Sequence, residues 1–115
     1  MNIRTGIDIV DVRRFEKAIG TDQGDTLLAR VFLPAEMHRS SGEHLAGIFA
    51  AKEAVIKALS IAHESWLLIE ITADPSGKPH AVIGADVPYT IVGCDISIAH
   101  DGGMAIAQCV ALIAE

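Results

Sequence analysis

The first twenty residues combine one short apolar run with one helical pattern. Apolar residues cluster around Gly6 and predict an opening strand over residues 2–10. Asp11 follows, a residue type whose side chain caps helices, and apolar residues then recur at helical spacing as far as Ile19. We therefore predict a strand followed directly by a short helix.

Two more short helices and one long helix are predicted before residue 60. Apolar residues between positions 27 and 32 favour a short helix, and Pro34 suits the first position of another. Ser40 followed by Glu43 has the spacing of a capping box, which predicts a long helix running to about Leu59. Its apolar stripe consists of Leu45, Ile48, Phe49, Val55, Ile56 and Leu59.

The second half of the chain changes to alternating or continuous apolar runs, which are typical of strands. The predicted strands cover residues 67–73, 80–84, 89–98 and 104–113. Pro75 and Gly77 suit a turn between the first two, and residues 100–103 suit a hairpin between the last two. Early helices and late antiparallel strands predict an α+β fold, with an N-terminal strand and one long helix packed on a mainly antiparallel sheet.

Length and composition limit the function classes. A chain of 115 residues, 50% hydrophobic and 21% charged, is expected to form a single domain over residues 1–115, or a subunit that completes its core between chains. The net charge of −6 argues against a nucleic-acid partner. The N-terminal sequence shows neither an export signal nor a membrane span, so we expect a cytoplasmic protein with Cys94 and Cys109 reduced.

Charged residues inside the long apolar helix point to chemistry, because a buried ion without a partner costs more than packing returns. Asp8 and Glu53 could hold a divalent ion if the fold brings them together, and their hard oxygens favour Mg²⁺. Two carboxylates would leave coordination places for water and substrate phosphates. Lys52 and Lys57 could neutralise phosphate charge, although Lys57 could equally pair with Glu53 four residues earlier.

Seven segments, in order along nearly the whole chain, carry a specific pattern: Gly6–Val10, Phe32–Glu36, Leu45–Gly47, Phe49–Ala58, Ile69–Ile71, Gly77–Pro79 and Ser97–Asp101. The most specific are the aspartate motif around Asp8 and the lysine–glutamate motif that reaches Lys57. Together the segments resemble motifs of the holo-acyl-carrier-protein synthases, the small 4'-phosphopantetheinyl transferases.

This resemblance implies a Mg²⁺-dependent enzyme that transfers 4'-phosphopantetheine from coenzyme A to a serine of an apo acyl or peptidyl carrier protein, releasing adenosine 3',5'-bisphosphate. Asp8 and Glu53 would bind the metal, and Lys57 would lie near the transferring phosphate. Lys52 would either contact the coenzyme or form a structural pair. A metal-bound water or Glu53 itself would accept the proton of the serine.

The resemblance also implies a region that binds the nucleotide end of coenzyme A. His100, Ser97 and the turn formed by Gly77, Lys78 and Pro79 would lie near the adenosine phosphate. His100 could instead be a hairpin residue without a ligand.

Arg13, Arg14 and Lys17 form a local cationic surface on the first predicted helix of this acidic chain. The resemblance implies that they meet an acidic helix of the carrier protein, whereas the simpler interpretation is a solvated helix side. The family further implies a homotrimer with coenzyme A between subunits, which the apolar late strands would suit by burying surface between chains.

Three departures from the family pattern bear on activity. Ile48 stands where the family usually has an arginine, Ser60–His63 replaces a glycine-threonine-glycine turn, and Ala99 replaces a serine. Two rival interpretations therefore stay open. One is a non-catalytic module that binds coenzyme A or a carrier protein, and the other is a structural oligomer subunit in which Glu53 and Lys57 pair between chains.

Overall fold

The computed structural model describes residues 1–38 and 41–115. Its helices are α1 (Val12–Ile19), α2 (Gly24–Val31), α3 (Pro34–Met37) and α4 (Gly42–Leu59), and a single 3₁₀ turn covers Trp66–Leu68. Its strands are β1 (Asn2–Asp11), β2 (Ile69–Ala73), β3 (Pro79–Ile83), β4 (Thr90–Asp101) and β5 (Met104–Ala114).

The strands form two antiparallel units. Strands β1, β5 and β4 make a three-stranded sheet in that order, and β2 pairs with β3 as a separate hairpin. Gly102 and Gly103 close the β4–β5 hairpin with φ angles of 57° and 77°, which glycine adopts without strain. The predicted α+β fold with antiparallel strands is confirmed.

Helix α4 lies across the inner face of the three-stranded sheet. Its small residues Ala50, Ala54 and Ala58 are buried and allow the sheet to approach closely. The approach is tightest at Gly6 of β1, where an added Cβ would stand 2.0 Å from the carbonyl oxygen of Ala54. Because Gly6 has no side chain, β1 can lie directly against α4, and the even-numbered residues of β1 face the helix.

Element boundaries agree with the sequence pattern in some places and differ in others. Asp11 caps α1 as predicted, since its Oδ1 accepts the Arg14 N–H at 3.0 Å. The predicted capping residue Ser40 lies outside the described residues, and the side chain that caps α4 belongs to Ser41, which accepts the His44 N–H at 3.1 Å. The predicted strand over residues 67–73 begins only at Ile69, after the 3₁₀ turn.

The late strands also settle two smaller points. The sulfurs of Cys94 and Cys109 lie 3.4 Å apart on neighbouring strands, and both thiols are free. Strand β4 continues to Asp101, so His100 belongs to the strand rather than to the hairpin turn. Over residues 1–38 and 41–115, no helix is long and apolar enough to cross a membrane.

Candidate active site

Asp8 and Glu53 converge on one cavity of about 360 Å³. Asp8 lies on the inner face of β1, two residues beyond the close contact at Gly6. Glu53 lies on α4, one turn before Lys57. The carboxylates that the sequence singled out as metal ligands are therefore brought together by the packing of β1 against α4.

The walls of this cavity are mainly apolar. The aromatic rings of Phe15 and Phe49 have centroids 5.9 Å apart, and Phe15 meets Phe32 edge-on at 6.1 Å. Val31 at the end of α2 completes this side of the cavity. Low-polarity walls strengthen electrostatic attraction, so a cation or phosphate near the two carboxylates would be less screened than at an open surface.

Lys57 is bonded to Asp8. Its Nζ donates to Asp8 Oδ1 at 3.0 Å and to the carbonyl oxygen of Ile7 at 2.9 Å. The structure therefore does not show the ion pair between Lys57 and Glu53 within the helix that was the alternative interpretation of Lys57. Strand β1 offers the ammonium a carboxylate and a carbonyl together, which is a better set of acceptors than the single half-buried carboxylate of Glu53 on the same helix.

Lys52 is fully buried, which corrects its prediction as a coenzyme-binding residue. Its Nζ donates to Glu36 Oε1 at 2.6 Å, to the Val31 carbonyl at 2.7 Å and to the Trp66 carbonyl at 3.0 Å. An ammonium has three hydrogens, and all three are used inside the protein. Burial lowers the pKa of Lys52, while the hydrogen bond and charge of Glu36 act to raise it. The geometry thus supports the interpretation of Lys52 as one partner of a structural ion pair.

Glu36 is the partner that the sequence pattern did not reveal. Its Oε1 also accepts the Leu33 N–H at 2.8 Å, and its Oε2 accepts the Ile71 N–H at 2.8 Å. The only sequence signal was its place three residues after Leu33, which is the spacing of a capping box without the usual serine or threonine. The buried pair joins α3, α4 and β2, and through Val31 it also holds the wall of the Asp8 cavity.

Part of the predicted nucleotide-binding region forms a second cavity of about 250 Å³. His100, Gly77 and Pro79 line it together with Ile48. His100 Nε2 lies 3.1 Å from the Glu43 carbonyl oxygen, an acceptor, which leaves Nδ1 as the other polar atom of the ring. The first and second cavities share no lining residue, so one chain does not present them as one continuous site.

Ser97 and Lys78 lie elsewhere. Ser97 stands opposite Gln108 on the face of the sheet that points away from α4, and it lines a third cavity of about 500 Å³ with Lys78 and Pro79. Lys78 Nζ donates to Asp95 Oδ1 at 2.7 Å, and this bond holds the pKa of Asp95 below its usual range. Ser97 and His100 are therefore on opposite faces of β4, and Pro79 and Ile98 are the lining residues that the two cavities share.

The cationic residues of α1 stand beside the first cavity. Arg13, Arg14 and Lys17 are exposed, and Arg14 lines the cavity that contains Asp8 and Glu53. A partner held by this helix would therefore present its surface next to the two carboxylates.

A further cavity, of about 720 Å³, lies beyond the end of α4 and contains none of the predicted site residues. It includes Ser60, which ends the helix with φ of 54° in the left-handed region that favours glycine. The guanidinium of Arg4 lies 4.8 Å from the ring centroid of Tyr89 at this cavity. The backbone here adopts a glycine-type helix end although the residue is serine.

A divalent ion fits the donor set of the first cavity. Across the part of the chain that the structure describes, no three His, Cys, Asp or Glu side chains cluster as a complete protein cage. The paired carboxylates suit Mg²⁺, which is commonly held by one or two carboxylates while water and substrate phosphates fill its other positions. Asp8 and Glu53 are the residues that would hold it.

Comparison with known sequences gives a consistent answer. The sequence profile described as the 4'-phosphopantetheinyl transferase superfamily matches residues 4–109. The holo-[acyl-carrier-protein] synthase of Geotalea daltonii is 39% identical over 119 residues, which cover 92% of this chain and 94% of the relative. That of Salinispora arenicola is 41% identical over 122 residues, covering 96% and 98%.

Solved structures agree. The Helicobacter pylori holo-[acyl-carrier-protein] synthase in complex with coenzyme A has a TM-score of 0.82 and 33% identity, covering 94% of this chain and 99% of that one. A Chronobacterium ammoniagenes enzyme–coenzyme A complex has a TM-score of 0.85 and 28% identity, with both chains covered completely. The chain therefore belongs to the 4'-phosphopantetheinyl transferase superfamily, within the family of the holo-[acyl-carrier-protein] synthases.

Proposed function

We propose that this protein transfers 4'-phosphopantetheine from coenzyme A to a serine of an apo acyl or peptidyl carrier protein, with Mg²⁺ as the cofactor. The observation that carries the proposal is the meeting of Asp8 and Glu53 in one apolar-walled cavity, with Lys57 bonded to Asp8. The relatives named as synthases and the two coenzyme A complexes of similar fold support the same substrate pair.

The reaction exchanges one bond at the β-phosphorus and removes the proton of the serine hydroxyl. The serine oxygen bonds to the β-phosphorus of coenzyme A, the bond from that phosphorus to the bridging oxygen breaks, and adenosine 3',5'-bisphosphate leaves with that oxygen. The metal, when bound, would neutralise charge on the diphosphate. Asp8 and Glu53 would orient it, and Lys57 would supply a further positive charge at the cavity. Glu53 is one candidate acceptor for the serine proton, and a metal-bound water is the other.

The carrier protein would dock on α1. Arg13, Arg14 and Lys17 give this exposed helix a positive surface on a chain whose net charge is −6. An acidic helix of the carrier is the complementary partner, and the attraction would mainly raise the rate of encounter. Because Arg14 also lines the Asp8 cavity, a carrier held there would place its serine close to the carboxylates.

A composite site between chains would account for the separated cavities. On one chain, His100, Gly77 and Pro79 lie apart from Asp8 and Glu53, so these two groups would meet across a subunit boundary. Lys78 and Ser97 open towards the outer sheet face and would approach the same coenzyme there.

An exposed apolar surface supports such an assembly. Ile3, Ile7 and Ile9 of β1 are 76%, 60% and 58% exposed on the outer face of the sheet, and Val110 of β5 is 44% exposed. Apolar surface of this kind is typical of faces covered by another chain. We propose a homotrimer that buries it, and a cytoplasmic location stays a prediction from the sequence.

The direct test is a transfer assay. The protein is incubated with coenzyme A, Mg²⁺ and an apo carrier protein, and the carrier is weighed for the addition of one phosphopantetheine group. Asp8→Asn and Glu53→Gln should each lower kcat by about 100-fold or more, because several kcal/mol of charge stabilisation depend on the metal. Asp86→Asn, an exposed carboxylate away from the cavity, is the matched control and should keep the wild-type rate.

The non-catalytic alternative gives a different result in the same experiment. Ile48 places an apolar side chain beside His100 in the second cavity, which weakens the positive field expected of a phosphate-binding site. Mg²⁺-dependent binding of coenzyme A with no mass gain on any carrier would identify a binding module. Transfer that stays at the wild-type rate in Asp8→Asn would contradict the assignment of the metal ligands.

A further inference from the structure

The ammonium of Lys57 donates a hydrogen bond to Asp8 Oδ1 at 3.0 Å, on one of the two carboxylates that would hold the metal. The Asp8 side chain is 17% exposed and the Lys57 side chain 55% exposed, and Lys57 bonds Asp8 without itself lining the cavity. Its second bond, to the Ile7 carbonyl, fixes the direction of approach. We infer that Lys57 is a placeholder cation: it neutralises Asp8 in the free enzyme, and a divalent ion must loosen this bond to bind.

The inference rests on the proposed function and deepens it. A carboxylate oxygen bonded to an ammonium has less lone-pair capacity and less net negative field to offer a second cation. Glu53 faces the same cavity, so a divalent ion drawn towards both carboxylates also repels the ammonium. The Asp8–Lys57 bond and the divalent ion therefore compete for one carboxylate.

This competition has a use in the reaction. An ammonium has three hydrogens, and the two recorded bonds of Lys57 use two of them. Once its bond to Asp8 is loosened, the ammonium would stay bonded to the Ile7 carbonyl and would have two hydrogens available for phosphate oxygens. Metal binding would thus prepare the lysine for the diphosphate, and coenzyme A would bind more tightly after the metal than before it.

Arg14 provides the matched control for general electrostatics. It lines the same cavity, and its recorded contact is from its backbone N–H to Asp11 Oδ1, not from its guanidinium to Asp8. Arg14→Met therefore removes a positive charge from the cavity while leaving the Asp8–Lys57 bond in place. Lys57→Met removes the same charge together with the bond.

The experiment is a titration of the whole protein with Mn²⁺, in the absence of coenzyme A and carrier protein. Electron paramagnetic resonance monitors the binding of Mn²⁺ during the titration. Lys57→Met should bind Mn²⁺ about fivefold more tightly than the wild type, the upper range for a partly exposed ion pair. Arg14→Met should gain less than about twofold because its charge is screened. Equal gains in the two variants, or no gain in Lys57→Met, would overturn the placeholder role while leaving the metal assignment intact. No Mn²⁺ binding to any form would overturn both.

A second measurement uses only the wild-type protein, so its result does not depend on whether a variant folds. The chain has four lysines, so side-chain NMR signals of isotope-labelled lysine are few. Saturation with Mg²⁺ should shift the signal of Lys57 and leave that of the exposed Lys17 on α1 unchanged. A Lys57 signal that does not respond to Mg²⁺ would overturn the inference.

Discussion

Replacing Lys52 with methionine removes the most deeply buried charge of the site region. The Lys52 side chain is 0% exposed and its partner Glu36 is 1% exposed, so the variant would leave a carboxylate in the core without its cation. Methionine has a similar volume, which keeps the cavity contribution small. Breaking a buried pair in this way costs about 3–5 kcal/mol. In a chain of this length that loss lowers the unfolding midpoint by about 10–25 °C.

Guanidinium unfolding followed by fluorescence measures this change directly. Trp66 is the only tryptophan, and its carbonyl accepts from Lys52 Nζ at 3.0 Å, so the probe lies beside the perturbation. Lys17→Met removes an exposed cation of α1 and is the control, with an expected change within about 0.5 kcal/mol. Glu36→Gln combined with Lys52→Met should recover part of the lost stability, because the double variant buries neither the ammonium nor the carboxylate. The recovery is incomplete because one glutamine oxygen cannot accept from both backbone N–H groups, of Leu33 and Ile71, that the two carboxylate oxygens accept from.

Two results would refute this reasoning. If Lys52→Met lowers the free energy of unfolding by less than about 1 kcal/mol, the charge of Glu36 does not depend on Lys52 for its stabilisation. If the double variant is as unstable as Lys52→Met alone, the loss comes from packing and from unpaired backbone groups, the Val31 and Trp66 carbonyls and one N–H that Glu36 bonds, rather than from charge.

Four further outcomes follow from the structure. Gly6→Ala should destabilise the protein by about 2 kcal/mol or more and weaken Mn²⁺ binding, because its Cβ would overlap the Ala54 carbonyl; calorimetry and titration check this. Hydrogen bonds from Ser76 and His80 hold the pKa of Asp74 far below its ordinary 3.8, so Asp74→Asn should be less stable than the wild type at neutral pH. The difference should begin to shrink as the pH falls below 3.8 and should disappear only below the lower pKa of the folded state, so denaturant curves from pH 7 to 2 should show a steadily narrowing difference in stability. Arg14→Gln should raise KM for an acidic carrier and reduce the salt dependence of kcat/KM, without changing coenzyme affinity. Ile9→Arg should lower the oligomeric state in sedimentation experiments, since it places a charge on the outer face of the sheet.

Local pattern was sufficient for most of the fold. The cap at Asp11, the long helix and the β4–β5 hairpin each depend on residues close in sequence, and all three are present. The exact start of α4 was not decided by pattern because two adjacent serines can both serve as caps, and the structure uses Ser41. The 3₁₀ turn before β2 has the same apolar composition as a strand, so periodicity does not separate them.

The roles of the lysines were beyond local pattern because their partners are distant in sequence. Lys52 meets Glu36 sixteen residues earlier, and Lys57 meets Asp8 forty-nine residues earlier. Spacing within the helix favoured Glu53 as the partner of Lys57, and the fold supplied a better one. The separation of Ser97 from His100 was available in the sequence, since two strand residues three positions apart point to opposite faces of a sheet.

The two faces of β1 have different roles in this molecule. The inner face carries a metal-binding residue of the proposed site, and the outer face carries exposed apolar residues. Gly6 fixes Asp8 against α4 on the inner side of β1, and the same strand displays Ile7 and Ile9 on its outer side. A second subunit that covers these isoleucines would place its own residues near the edge of the Asp8 cavity, because the two faces belong to one strand. In the proposed assembly, subunit contact and completion of the site would therefore both depend on the packing of β1, and we expect a variant such as Ile9→Arg to lose both.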